Sequence, residues 1–127
     1  MPVPLQVETE GETFEDAFYS MNVGLTRYSG GGMQFVPHAQ AADGKLAFTL
    51  IDPVPAWRVV INTPWLYSPF FDRHPMAYAG QSSCISFSHK EKPSWIEADG
   101  ELIGQTPARI HTLPRALKFL VPQGFKG

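Results

Sequence analysis

The chain has 127 residues, 43% of them hydrophobic and 17% charged, with a formal net charge of −2. That length supports one hydrophobic core, and the composition is that of a folded chain rather than a disordered one. No Lys/Arg-rich run argues for nucleic acid, and no apolar run nears the roughly 20 residues that a membrane helix needs.

The opening Met1-Pro2-Val3-Pro4-Leu5-Gln6 has neither the basic region nor the apolar core of a signal peptide. Leu5, Val7 and Thr9 alternate with polar residues, the period of a half-buried strand over Pro4 to Glu10. Gly11 makes a turn, and Thr13 to Val23 is expected to return as one longer antiparallel strand. Gly30-Gly31-Gly32 then reads as a plain loop or as backbone closely approached by a ligand. It is not a P-loop, since no Gly-Lys-Ser/Thr follows, and no strand-turn-helix pattern makes it a dinucleotide fingerprint.

Asp43-Gly44 marks a tight turn into Lys45 to Ile51, a strongly apolar strand. Asp52 is placed to cap a short helix over Ala56 to Thr63, with Trp57, Val60 and Ile61 on one face. Pro64 ends it. The dense aromatic stretch Trp65 to Phe71 is either a lid over one end of the core or an apolar surface toward lipid or a partner. Met76 to Ser88 is expected as one long strand. It contains Cys84, read as a packed strand residue with no basic partner near it in sequence. A lone cysteine excludes an internal disulfide and suits a reducing cytoplasm.

Trp95 to Leu102 reads as a hairpin, because Asp99-Gly100 is a strong short-range turn signal and Glu101 follows it at the tip. Strands over Ala108 to Thr112 and Ala116 to Val121 complete roughly seven or eight short strands, with the short helix as the only other element. The expected fold is therefore mainly all-β: one antiparallel sandwich or barrel domain over residues 1–127.

Little in this pattern carries chemistry by itself. His38, His74, His89 and His111 lack metal-ligand spacing, and no Gly-x-Ser-x-Gly elbow is present. Two carboxylates at Asp-Gly turns remain, Asp43 and Glu101. A turn carboxylate with neighbouring carbonyls suits a hard cation, and a carboxylate at a hairpin tip suits a general base or a plain solvated turn.

Several ordered stretches carry a resemblance. Asn22-Val23-Gly24, Tyr28-Ser29-Gly30-Gly31-Gly32-Met33, Val36-Pro37-His38-Ala39 and Asp43-Gly44-Lys45-Leu46 resemble the C-terminal part of bacterial diacylglycerol kinases and sphingosine kinase-like lipid kinases. So do Asp99-Gly100-Glu101, Thr106-Pro107 and Leu113 to Pro122, and the match runs in order over nearly all of the chain. The resemblance implies a second-domain β-sandwich. Its partner would be an N-terminal nucleotide-binding domain bearing a Gly-Gly-Asp-Gly-Thr-type motif, which this sequence lacks.

It further implies an ATP-dependent kinase acting on diacylglycerol or a related lipid alcohol, with this chain alone inactive. Glu101 matches the family's proton acceptor. A structural Mg²⁺ is implied at the Asp43 side chain and the main-chain carbonyls of Gln40 and Lys45. Ala42 stands where many relatives have a second acid, so weaker metal binding is expected. The implied setting is cytoplasmic, with peripheral contact at the membrane inner face, and a homodimer is left open. The competing reading is a lipid- or partner-binding sandwich without catalysis.

Overall fold

The structure is a computed structural model and describes residues 2–118 and 120–124. Among these residues the strands are β1 (Val3–Glu8), β2 (Thr13–Phe18), β3 (Ser20–Gly24), β4 (Leu46–Ile51), β5 (Ala77–Ser82), β6 (Cys84–His89), β7 (Trp95–Ala98), β8 (Glu101–Gln105) and β9 (Ala108–His111). One short helix, α1 (Ala56–Asn62), runs into 3₁₀ turns at Thr63–Tyr67 and Phe71–Arg73.

The strands form two antiparallel sheets, in the orders β2-β1-β6-β9 and β3-β4-β5, plus the separate β7-β8 hairpin. Leu5, Val7, Phe18, Ile85 and Phe87 from the first sheet meet Leu46, Phe48 and Leu50 from the second to form the core. The fold is thus the expected β-sandwich with one short helix.

Strand β4 is buried on both faces, which its unbroken apolar run requires. Leu46, Phe48 and Leu50 point into the sandwich. On the other face Ala47 packs with Val36 and Ala39, and Thr49 Oγ1 donates to the Phe35 carbonyl at 2.8 Å. Phe48 lies over Gly80, its partner in register on β5.

Two expected long strands are each two strands in different sheets. Thr13 to Val23 divides at Tyr19, whose N–H donates to the Ile51 carbonyl at 2.8 Å and so joins the second sheet. Met76 to Ser88 divides at Ser83, between β5 in one sheet and β6 in the other. In both cases the inward parity flips at the crossing: Phe14 and Phe18 give way to Met21 and Val23, and Gly80 and Ser82 to Ile85 and Phe87. Buried Ser82 stitches the second crossing, donating to the Cys84 carbonyl at 2.7 Å and accepting from the Glu10 N–H at 3.3 Å.

The helix also differs from expectation. Its N-terminal flank is Pro55 with no side-chain cap, while the Asp52 N–H donates to the Met76 carbonyl. Trp57, Val60 and Ile61 do share a face, but that face is exposed. The strand expected over 116–121 is absent from residues 116–118 and 120–121, and Phe119 lies outside the described residues. Arg115 has φ 60°, and the Ala116 N–H bonds back to the Leu113 carbonyl at 3.3 Å, so a turn carries the chain away from β9. No helix among the described residues is long and apolar enough to cross a membrane.

Candidate functional site

The hairpin forms as the Asp99-Gly100 pair dictates. Both residues lie in the left-handed region, φ 51° and 83°, so the two-residue loop is of the I′ kind that matches strand twist. Ala98 pairs with Glu101, which sets Glu101 as the first residue beyond the turn. A register shift between Ile96 and Glu97 leaves Ile103 as the extra residue on β8, bending the ribbon.

The base of the hairpin is tied to the sandwich through buried Thr106. Its N–H donates to the Ser94 carbonyl, its Oγ1 accepts from the Ser94 N–H (both 2.9 Å), and Oγ1 also bonds His89 Nδ1 at 3.1 Å. Ile96 packs on the core from the same ribbon. Beyond these anchors the ribbon stands clear of both sheets. Glu101 is exposed, and a Cβ built on Gly100 would meet nothing within 4 Å. The arrangement therefore presents Glu101 on a short, tethered arm, open to a reactant from outside the sandwich, with Glu97 and Asp99 also exposed on the same ribbon.

Asp43 occupies a different place, the turn leading into β4. Its Oδ1 accepts from the Lys45 N–H at 2.8 Å, and its own N–H donates to the Gln40 carbonyl at 3.2 Å. Gly44, at φ 72°, lets the chain reverse, and its carbonyl accepts from Thr112 Oγ1 at 2.9 Å. Sequence reading missed Gln81 on β5. Its Nε2 spans the His38 carbonyl (3.2 Å) and Asp43 Oδ2 (3.4 Å), fixing the turn against the sheet. Only cross-strand register brings Gln81 there, so no local signal could have marked it.

Glu101 and Asp43 thus sit on separate elements, and no hydrogen bond joins them. Among the described residues no group of three or more His, Cys, Asp or Glu gathers to hold a metal. The Asp43 carboxylate and the main-chain carbonyls of Gln40 and Lys45 are oxygen donors, a set that suits a hard cation in kind. It brings a single negative charge, because Ala42 supplies none.

The glycine loop is closed by a Ser29–Met33 bridge, the Ser29 N–H donating to the Met33 carbonyl at 2.8 Å. Gly31 and Gly32 have no described neighbour within 4 Å of an added Cβ, so within the described residues nothing presses on this backbone. Cys84 is a strand residue of β6, as expected, and strand register brings it a basic partner that is distant in sequence. Arg109 on β9 lies diagonally across the strand pair, and its Nε donates to Cys84 Sγ at 3.0 Å. That bond raises the Arg109 guanidinium above its ordinary value.

A further feature, invisible in the sequence, is an apolar cleft of about 90 Å³ between the second sheet and the helical segment. Tyr19, Ile51, Val59, Leu66 and Phe71 line it. Buried His74 holds its end: Nδ1 accepts from the Met76 N–H and Nε2 bonds Asn62 Oδ1 at 3.1 Å, which assigns the proton to Nε2. The volume is on the order of three waters, well short of the roughly 300 Å³ of a small-molecule pocket.

Residues 1–121 match the family model described as the YegS C-terminal NAD kinase beta sandwich-like domain. The chain belongs to that family. No curated protein matches it. Two structures of a “putative diacylglycerol kinase” from Bacillus anthracis str. Sterne resemble this YegS-type domain, with TM-scores of 0.71 and 0.74 at 22% and 21% identity. A further diacylglycerol kinase structure from the same organism has a TM-score of 0.68 at 18% identity. At these identities the likeness is one of fold. The matches cover 89–90% of this chain and 38–40% of those proteins, so the YegS-type domain spans about two fifths of their length.

Proposed function

We propose that this domain is the C-terminal part of an ATP-dependent lipid kinase, with Glu101 as the general base toward the hydroxyl of diacylglycerol or a related lipid alcohol. The observation that carries the reading is the placement of Glu101. The I′ turn and the Thr106 tether fix the backbone at the tip, and the exposed Glu101 side chain is free to meet a hydroxyl from outside, which supports the role of proton acceptor. Family membership and the names of the structural neighbours supply the chemical class.

In this reading the lipid oxygen forms a bond to the γ-phosphorus while the bond from that phosphorus to the β-bridging oxygen breaks. Glu101 takes the hydroxyl proton as the charge develops, and ADP leaves. General-base assistance of this kind is worth ~10²–10⁴ in rate. The nucleotide itself would be held by an N-terminal domain, the counterpart of the remaining three fifths or so of the relatives. The Asp43 carboxylate and the Gln40 and Lys45 carbonyls would hold Mg²⁺. When bound, that ion would more than offset the Asp43 charge and would stiffen the entry to β4.

The test is transfer of labelled γ-phosphate from ATP to a short-chain diacylglycerol by the full-length protein. Label on the lipid hydroxyl supports the reading. Lipid binding with no transfer, when nucleotide is bound, would instead select the non-catalytic sandwich.

A further inference from the structure

The helical segment between β4 and β5 is turned inside out relative to an ordinary surface helix. On α1 the positions i, i+3 and i+4 (Trp57, Val60 and Ile61) form one face, and it points away from the protein. The inward side has Val59 and Asn62, and no residue of α1 is fully buried. The 3₁₀ turns extend this outward face with Trp65, Tyr67 and Phe70. These six side chains are 40% to 72% exposed, one continuous run of chain with its largest apolar groups in water.

Charge is distributed to match. From Pro53 to Phe71 there is no Asp or Glu, although the chain as a whole is net negative. Arg58 lies on this segment and Arg73 just beyond it, after Asp72. Each arginine stacks on an aromatic ring of the ridge, Arg58 over Trp57 at 5.2 Å and Arg73 over Phe70 at 5.3 Å. Trp and Tyr with arginines reaching along their rings are the side chains of a membrane–water interface, where an apolar body enters the acyl boundary and the cation stays with the headgroups. The exposed β7–β8 ribbon differs. Trp95, Leu102 and Ile103 there are interleaved with Glu97, Asp99 and Glu101, and an anionic bilayer would repel it.

We infer that the α1–3₁₀ ridge, from Trp57 to Phe70, docks this domain onto the surface of an anionic lipid bilayer. The ridge roofs the apolar cleft, so docking sets the cleft lining of Val59, Leu66 and Phe71 immediately beneath the acyl boundary. The inference stands apart from phosphoryl transfer: loss of Glu101 chemistry leaves it intact, and failure of docking leaves the general base intact.

Cosedimentation of the full chain with phosphatidylcholine vesicles, with and without phosphatidylglycerol, tests it. The wild-type chain binds, and binding tightens with phosphatidylglycerol by about fivefold per arginine, a dependence that Arg58→Gln/Arg73→Gln removes. Trp57→Ser/Ile61→Ser, at exposed positions, weakens binding by about tenfold for each side chain removed. Leu102→Ser/Ile103→Ser, which strips the ribbon equally, leaves binding unchanged. A readout that needs no surface-disrupting variant is quenching by brominated lipid in single-tryptophan chains. Trp57 and Trp65 are quenched and Trp95 is not. Absence of vesicle binding, equal loss in both double variants, or equal quenching of Trp95 would overturn the assignment. So would a vesicle-free dimer that Trp57→Ser/Ile61→Ser dissociates, since a second copy would then be what covers the ridge.

Discussion

Replacing Gly80 with alanine probes how the second sheet is keyed to the core. A Cβ at Gly80 would stand 2.6 Å from Phe48 Cζ and 2.9 Å from Cε1, against the roughly 3.5–4.0 Å of a normal carbon contact. Phe48 would have to retreat by about 1 Å, but it is almost completely buried and boxed by Phe14 (6.1 Å between ring centroids) and Tyr78 (6.4 Å). Overpacking of this kind costs ~1–3 kcal/mol. Because the Gly80 backbone is not in the left-handed region, alanine also narrows the unfolded ensemble, offsetting ~0.4–1 kcal/mol. The expected net loss is about 1–2 kcal/mol in urea unfolding followed by fluorescence. In a Phe48→Leu background the ring is gone, and Gly80→Ala should be neutral or mildly stabilising relative to that background. A Gly80→Ala variant that is more stable in the wild-type background would show that Phe48 does not lie over Gly80, and the register of β4 with β5 would be wrong.

Tyr78 Oη donates to Glu12 Oε2 at 2.6 Å and its ring packs on Phe14, linking β5 to the turn between β1 and β2. The hydrogen bond to Glu12 raises the Tyr78 pKa above its ordinary 10.0. The bonded form is the protonated one, so its stabilisation is full below pH 10.0 and is lost as pH rises through the higher folded value. Comparing urea midpoints of the wild-type chain and Tyr78→Phe from about pH 8 to about 11 should show a constant gap that closes at the alkaline end. A gap that widens with pH would contradict the bond. At the other turn, Asp43→Asn keeps an oxygen for the Lys45 N–H while removing the charge. Mg²⁺ should raise the unfolding midpoint of the wild-type chain and leave that of Asp43→Asn unmoved, the two being alike without the ion. An equal rise in both would place the cation elsewhere.

Local chemistry was readable wherever one short segment decides the outcome. Asp99-Gly100 and Asp43-Gly44 are the turns the sequence announces, and the apolar run from Leu46 is the strand buried on both faces. The crossings at Tyr19 and Ser83 were not read, because alternation continues through them and only the parity of the buried set reverses. That reversal is present in the sequence as Phe14 and Phe18 against Met21 and Val23, and it is a usable signal for a strand that changes sheets. The shared α1 face of Trp57, Val60 and Ile61 was legible, but not that it turns to solvent, since periodicity does not say which way an apolar face points. Gln81 and Arg109 reached their partners through strand register, which is not local. The Asp-Gly turn fixes where Glu101 stands, and its role rests on the family to which the chain belongs.

The most direct test of the catalytic assignment is Glu101→Gln in the full-length protein, assayed for transfer from ATP to a diacylglycerol. The side chain is exposed at a hairpin tip, so the unfolding midpoint should not move. The account predicts a fall in kcat of about 10²–10⁴ with KM for ATP unchanged, as expected when a proton acceptor is lost and binding is kept. A Glu101→Gln enzyme that retains wild-type kcat would contradict it, and would leave Glu101 a solvated turn residue.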